Sequence, residues 1–307
     1  MDTLILSILS RALIAATPLL LATIGEIIAE RSGVLNLGVE GMMAMGAVTA
    51  FIVTRVTGSP FLGCLAAIAV SSLTATIHAF VSVTLQSNQE VSGLALTMLG
   101  LGVSALWGKP YVGIPLGTKV RPFAIPLLHR IPIVGELIFD RTIFFYLAVI
   151  LGVFTWFVLR HTSTGIAIRS SGENPQAASS QGVPVNRIRY LCVGAGGAFA
   201  GIAGAHLSTS YSTSWIEGMT AGRGWIVIGL TIFALWSPFR AFLGAFLFGG
   251  IFVLQYVLQP MGISPNLLAM LPYLTTLIVL VLVGFRRGAR NLAAPASLGE
   301  PFRRDER

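Results

Sequence analysis

The chain has 307 residues, of which 54% are hydrophobic and only 10% are charged, and its formal net charge is +8. Soluble domains carry about 25% charged residues, so this composition excludes a soluble domain able to work alone. The two cysteines, Cys64 and Cys192, lie far apart in apolar runs, and their spacing supports neither a metal site nor a disulfide framework.

Nine apolar segments, taken in chain order, are long enough to cross about 30 Å of hydrocarbon. They predict an all-α fold, a polytopic transmembrane bundle of about eight to ten helices. This transmembrane domain covers 1–290, and 291–307 forms a polar tail. The nine segments lie at 4–27, 35–56, 61–84, 91–107, 143–159, 189–210, 224–236, 241–258 and 268–284.

Two of these segments are candidates for broken or re-entrant helices. The segment 224–236 is short, and 35–56 is interrupted by Gly38, Glu40 and Gly41. A membrane tolerates such breaks where protein or a cavity covers the freed backbone groups. We therefore expect irregular backbone inside the bundle at one or both places.

The distribution of lysine and arginine predicts which side of the membrane each loop faces. If 160–188 is cytoplasmic, parity places twelve basic residues on that side and seven on the other. The positive-inside rule favours this orientation, with the C-terminus in the cytoplasm. The outer side then carries Arg223, near the mouth of a pathway, and the proline-rich loop 108–142. This outer loop either caps the pathway or simply connects two helices.

The loop 160–188 contains the signals of a short, capped helix. Asn174 suits an N-cap, Pro175 suits the first helical position, and Gly182 suits a left-handed stop. These signals predict a helix of about two turns over 175–181, outside the bilayer. Such a helix is either a contact surface for a partner or part of an ordinary connector.

The residues needed for ATP hydrolysis are missing from the sequence. The only lysines, Lys109 and Lys119, do not lie in a GxxxxGK[ST] motif, so the chain has no P-loop. No GxSxG, HExxH or paired-aspartate pattern indicates an intramembrane enzyme. An ion-coupled carrier would use buried acids or histidines, among which Glu40 is the best placed. Glu40 either binds substrate hydroxyls or satisfies the amides of a broken helix.

Four separated runs of the sequence carry a resemblance to a known family. They are ERSGVLNLGVEGMMAMGA (30–47), SNQEVSGLALTMLGLG (87–102), GENPQAASSQGVPVNRIRY (172–190) and MTAGRGWIVIGLTIFALWSPFRAFLGAFLFG (219–249). They resemble permease subunits of bacterial ABC importers, in the branch for ribose-type sugars, nucleosides and branched-chain amino acids. The fourth run most resembles the nucleoside and simple-sugar group. It departs from that group in reading FALWSPFR, where such relatives often have a Gly-Lys pair before the Trp-x-Pro turn.

The resemblance implies a permease that moves nucleosides or simple sugars across the bacterial inner membrane. It implies an ATP-binding partner subunit, which would hold ATP and magnesium, so no cofactor is expected in this chain. It also implies a second permease, expected to be a different chain, and a periplasmic or lipid-anchored solute-binding protein. The alternative is a secondary transporter of small polar solutes, driven by an ion gradient.

Three sets of residues become candidates for function. The resemblance identifies the predicted helix in 160–188 as the coupling helix that seats in the ATPase, and polar residues of the bundle are candidates for the substrate path. Closely spaced glycines are candidates for tight helix packing or sliding. The coupling set is Glu173, Asn174, Pro175, Ala177, Ala178 and Gly182; the path set is Asn36, Glu40, Asn88, Gln89 and Arg223; the packing set is Gly197, Gly201 and Gly204.

Overall fold

The computed structural model describes residues 2–126, 128–212, 214–285 and 294–303, and its secondary structure is predominantly α-helical. Of the predicted tail, 291–293 and 304–307 lie outside the described residues. The helices are α1 (Asp2–Arg31), α2 (Val39–Thr57), α3 (Pro60–Ala79), α4 (Gln89–Gly108), α5 (Val134–Ile138), α6 (Ile143–His161), α7 (Ser163–Glu173), α8 (Pro175–Ser180), α9 (Val185–His206), α10 (Arg223–Phe233), α11 (Pro238–Leu258), α12 (Pro265–Ala269) and α13 (Leu271–Phe285).

Seven helices in the described part of the chain are long and apolar enough to cross a membrane. They are α1, α2, α3, α4, α6, α9 and α11, and α3 and α9 are each extended by one π-helical turn. Two further apolar stretches, Arg223–Phe233 and Pro265–Val279, are shorter. The predicted all-α transmembrane bundle is therefore confirmed.

The centre of the bundle is formed by α1, α2 and α9, which bury most of their residues. In contrast, α3, α4, α6 and α11 bury less than half of theirs and expose large apolar side chains such as Met98 and Phe154. In a membrane protein these outward faces contact lipid or a partner subunit, because either one keeps the apolar side chains away from water.

The glycines of α9 lie where neighbouring helices approach most closely. A Cβ added at Gly201 would lie 2.5 Å from the Ala67 carbonyl oxygen of α3. A Cβ added at Gly204 would lie 2.2 Å from the Met43 carbonyl oxygen of α2, and Gly197 meets α3 in the same way. Small residues at these positions let the helix backbones touch, which is how membrane helices gain packing energy.

One end of the bundle, which we name the α8 end, carries α7, α8, the linker 32–38 and the turn 234–237. Arg31 connects this turn to α1, because its guanidinium donates to the carbonyl oxygens of Leu235 (3.3 Å) and Trp236 (3.2 Å). The turn is tight: Leu235 and Trp236 both adopt positive φ, at 50° and 53°.

The helix α10 crosses only part of the bundle. It has 11 residues and is therefore about 16 Å long, about half of what a membrane span requires. Because α10 ends beside the turn 234–237, its first residue lies well inside the bundle. The expectation that 224–236 is a broken segment is thus confirmed. By contrast, α2 runs unbroken from Val39, so Glu40 and Gly41 do not interrupt it.

The opposite end of the bundle carries the loop 108–142, whose strands β1 (Phe123–Ala124) and β2 (Asp140–Arg141) pair antiparallel. This loop packs on the segment that follows α9. Gly113 N donates to the Trp215 carbonyl oxygen at 3.2 Å, and Val120 N donates to Thr209 O at 3.0 Å. The loop therefore braces the chain that leads into α10.

Candidate functional site

Glu40 caps the start of α10 with both of its carboxylate oxygens. Oε1 accepts hydrogen bonds from Thr220 Oγ1 at 2.6 Å and from Gly222 N at 2.9 Å, and Oε2 accepts one from Gly224 N at 2.5 Å. The first N–H groups of a helix lack partners within it, and the positive end of its dipole favours an anion. Glu40 was expected either to bind substrate hydroxyls or to satisfy the amides of a broken helix, and these contacts favour the second role.

Arg223 begins α10 and is buried between two aromatic rings. The guanidinium carbon lies 5.4 Å from the centre of the Tyr211 ring and 4.8 Å from that of Phe252. Nη1 donates to the carbonyl oxygens of Met219 and Thr220, both at 3.1 Å, whereas Nε has no hydrogen-bond partner among the described residues. The side chain is only 6% exposed and lies inside the bundle, and its expected position near the outer mouth stays a prediction.

Arg223 lines a cavity of about 450 Å³ between α9, α11 and α13. Polar groups of this cavity include Ser212, Gln255 and Tyr273, and the Tyr273 hydroxyl donates to Ala221 O at 3.3 Å. A second cavity, of about 520 Å³, shares Tyr211 and Tyr256 with the first and adds Arg11 and Ser210. We name the two together the arginine cavity. Its walls combine aromatic faces with hydrogen-bond donors of both charged and neutral kinds.

Asn36 lies away from the arginine cavity, at the α8 end. Its Nδ2 donates to Glu26 Oε2 at 3.1 Å, and its Oδ1 accepts from Gly38 N at 3.1 Å. Beside it, Glu30 accepts a hydrogen bond from the indole N–H of Trp236. These buried polar groups hold the linker 32–38 and the turn 234–237 against α1. The partner of Glu26 lies only ten residues further along the chain, whereas Trp236 reaches Glu30 from a distant segment.

Asn88 and Gln89 also lie at the α8 end. Asn88 caps α4, because its Oδ1 accepts from Val91 N at 2.9 Å. Gln89 is buried; its Oε1 accepts from Leu35 N at 2.7 Å, and its Nε2 donates to Glu300 O at 3.3 Å. The five path candidates therefore do not form one site: Arg223 lines the cavity, Glu40 lies behind it, and the other three lie at the α8 end.

The coupling candidates do form one site, around α8. This helix spans Pro175–Ser180, close to the expected 175–181, and Asn174 Oδ1 accepts from Ala177 N at 2.9 Å as its N-cap. Gly182 follows with a left-handed φ of +84°. Within 160–188 the structure also contains α7, a second helix that the capping signals at 174–182 did not predict. The cap at Thr162, which accepts from Gly165 N at 3.1 Å, was the available signal.

The coupling candidates divide into an exposed and a buried group. Glu173, Asn174, Ala177 and Gly182 are exposed, whereas Pro175 and Ala178 lie on the buried face of α8. Only the exposed group is free to contact a partner directly. The buried group instead attaches α8 to the rest of the chain.

Comparison with known proteins places the chain among transport permeases. The family described as "Branched-chain amino acid transport system / permease component" matches residues 8–282. A putative glucose ABC transporter permease protein, TsgC13 of Haloferax volcanii, is 42% identical, with 95% of each chain covered.

Two further relatives are named for nucleosides. The guanosine ABC transporter permease protein NupQ of Bacillus subtilis is 35% identical, with 99% of this chain and 98% of NupQ covered. The nucleoside ABC transporter permease protein NupC of Lactococcus lactis is 34% identical, with 90% and 91% covered. No solved structure matches the chain. These similarities confirm the resemblance to ABC importer permeases that the four sequence runs indicated.

Proposed function

This chain belongs to the family of permease components of branched-chain amino acid transport systems, and from that premise we propose that its solute is a nucleoside or a simple sugar. It is the membrane-spanning permease subunit of an ABC importer, a transport protein and not an enzyme. The relatives named for glucose, guanosine and nucleosides support the choice of solute class.

The arginine cavity is the observation that carries this proposal. Aromatic rings such as Tyr211 and Tyr256 offer flat apolar faces against which a sugar ring or a base packs, and Arg223, Gln255 and the tyrosine hydroxyls offer hydrogen bonds. Its volume falls in the range of about 300–1,000 Å³ that small-molecule pockets occupy. The cavity begins beside the N-terminus of a half-helix, a position at which transporters bind their substrates.

Glu40 contributes to this path indirectly. Glu40 accepts hydrogen bonds from backbone N–H groups at the start of α10. It thereby holds Arg223 in place without presenting its own charge to the solute. Asn88 and Gln89 lie at the α8 end and serve solute exit or coupling, whereas Asn36 holds the linker 32–38 against α1. Affinity along the path is weak, because a separate solute-binding protein supplies the selectivity.

Energy for transport comes from a partner ATPase, which holds ATP and magnesium and receives α8 on its surface. The exposed residues Glu173, Asn174, Ala177 and Gly182 form the docking surface. A second permease, a different chain, completes the path, and a periplasmic or lipid-anchored binding protein delivers the solute. The chain lies in the bacterial inner membrane, with 160–188 and the C-terminus in the cytoplasm as the basic residues favour.

An uptake experiment tests both the solute and the energy source. Labelled adenosine, guanosine, ribose and glucose are offered to the parent strain, to a strain lacking this chain, and to one carrying Glu173→Ala with Gly182→Leu. The proposal is supported if uptake of one of these solutes is lost in both altered strains. Uptake of that solute by the parent strain should also resist an uncoupler while ATP is maintained. Unchanged uptake of all four solutes would refute the solute class, and loss on uncoupling alone would favour an ion-coupled carrier.

A further inference from the structure

The residues 294–303 near the C-terminus fold back onto the α8 end. Ser297 donates to the Gly172 carbonyl oxygen twice, from its backbone N at 2.9 Å and from its Oγ at 2.6 Å. Ala296 N also donates to Glu173 Oε2 at 3.3 Å. These bonds hold the last turn of α7, directly before α8 begins. We propose that residues 294–303, which we name the strap, position the coupling helix and link its movement to the membrane helices.

Arg189 connects the strap to α9. Its side chain is only 1% exposed, and each of its three nitrogens donates a hydrogen bond. Nε donates to Ser32 O at 3.2 Å, Nη1 to Glu300 O at 3.1 Å, and Nη2 to Ser297 Oγ at 3.2 Å. Burying a guanidinium is costly unless its donors are satisfied, and two of the three acceptors here belong to the strap. The strap is therefore part of the reason that this charge is stable inside the protein.

Two glutamines connect the strap to the start of α4. Gln89 Nε2 donates to Glu300 O, the same carbonyl oxygen that Arg189 contacts, while Gln89 Oε1 accepts from Leu35 N. Gln86 Nε2 donates to Phe302 O at 3.2 Å. A single short segment thus contacts α7, α9 and α4 by hydrogen bonds, and through Arg189 and Gln89 it also meets the linker that precedes α2.

Phe302 fastens the strap beneath α8. Its ring is 6% exposed and forms an apolar cluster with Ala178 of α8 and with Val183 and Val185. Ala178 is buried by this contact, which explains why it is unavailable to a partner. Because the cluster contains a residue of α8 and the first residue of α9, a displacement of α8 is transmitted to α9 through packed side chains.

The position of the strap gives it a role in coupling, on the premise of the proposed docking of an ATPase on α8. A displacement of α8 can reach the path only through contacts that move together, and networks of packed side chains and hydrogen bonds provide such contacts. Downstream, α9 packs against α2 and α3 through Gly204 and Gly201. Arg189 and Phe302 are positioning residues: neither lies on the exposed face of α8 that the ATPase would contact.

The test compares solute transported with ATP hydrolysed, in the complete importer reconstituted in liposomes with its loaded binding protein. The variants are Phe302→Ala, Phe302→Leu and a chain ending after residue 293; the matched control ends after Arg303 and keeps the strap. We expect the ratio of uptake to hydrolysis to fall about threefold to thirtyfold in Phe302→Ala and in the strapless chain, and less in Phe302→Leu. The control should keep the wild-type ratio.

A merely structural role would lower the amount of assembled importer and leave that ratio unchanged. A wild-type ratio in whichever of these variants assemble would overturn the proposal. Ala177→Trp, on the exposed face of α8, is measured beside them for binding of the ATPase subunit. If the ATPase remains bound in Ala177→Trp, the proposed docking surface is wrong. If the ATPase is lost from Ala177→Trp while the Phe302 variants keep the wild-type ratio of uptake to hydrolysis, only the strap proposal fails.

Discussion

Gly224 lies directly against the backbone of Glu40. Its N–H donates to Glu40 Oε2 at 2.5 Å, and a Cβ at position 224 would lie 2.5 Å from the Glu40 Cα. The carboxylate reaches the amides at the start of α10 only because no side chain separates the two backbones. This contact fixes where the half-helix begins, and with it the position of Arg223 in the arginine cavity.

Glu40→Ala should damage the protein through the start of α10. The change leaves the donors on Thr220, Gly222 and Gly224 without an acceptor; those on Thr220 and Gly224 are buried, and each such buried loss costs about 1–3 kcal/mol. We expect a lower midpoint of thermal unfolding in detergent and a large loss of uptake. The matched control is Glu217→Ala, which removes an exposed carboxylate from the same segment. Equal stability of the two variants would contradict the capping role.

Arg223→Lys should weaken solute passage while sparing the fold. Lysine keeps the positive charge but lacks the planar group that lies between the rings of Tyr211 and Phe252. Loss of a hydrogen bond from this charged group to the solute costs about 1.5–3 kcal/mol, so we expect the KM for uptake to rise about tenfold or more.

The measurement is initial uptake over a range of solute concentrations, with the affinity of the isolated binding protein as a second readout. That affinity should not change. Arg55→Lys, at an exposed arginine, serves as the control and should leave the KM unaltered. If Arg223→Lys also shows a wild-type KM, Arg223 does not contact the solute.

Gly201→Leu should prevent α9 from packing on α3. Even a Cβ at this position would lie 2.5 Å from the Ala67 carbonyl oxygen and 2.9 Å from Ser71 Oγ, so a leucine must force the helices apart. Overpacking of this kind costs about 1–3 kcal/mol or more. We expect little assembled protein and little uptake.

Gly194→Leu provides the comparison, because a Cβ at Gly194 would meet no atom of the described residues within 4 Å. Gly194 lies on the same helix as Gly201, so the two substitutions change the helix propensity by the same amount. Expression and uptake are measured for both variants. Normal uptake with Gly201→Leu would show that close approach at this position is dispensable.

Gly182→Leu should disturb the end of α8, whereas Gly182→Asn should be tolerated. The φ of +84° at this position disfavours a leucine by about 1–3 kcal/mol, but asparagine adopts the left-handed region more readily. The readout is the amount of ATPase subunit that copurifies with the permease. We expect it to fall in the leucine variant and to remain in the asparagine variant. A similar loss in both would mean that the side chain itself, and not the backbone conformation, obstructs the partner.

Local patterns allowed much of the fold to be predicted. The apolar segments correspond to observed helices because each hydrophobic stretch must satisfy its own backbone groups in lipid, whatever its neighbours are. The helix α8 was predicted nearly to the residue because Asn174, Pro175 and Gly182 act on the adjacent backbone. The family was also accessible, since each of the four runs that carried the resemblance is an unbroken stretch of sequence.

The sequence by itself therefore determined which segments form apolar helices, where α8 begins and ends, and to which family the chain belongs, because these follow from neighbouring residues. Only the tertiary structure decided that Glu40 caps a helix 184 residues further along, that Arg223 is buried against Tyr211 and Phe252, and that the strap lies beneath α8. The physical reason is that each of these depends on contacts between distant segments, whose partners are selected by shape and hydrogen bonding in the folded bundle.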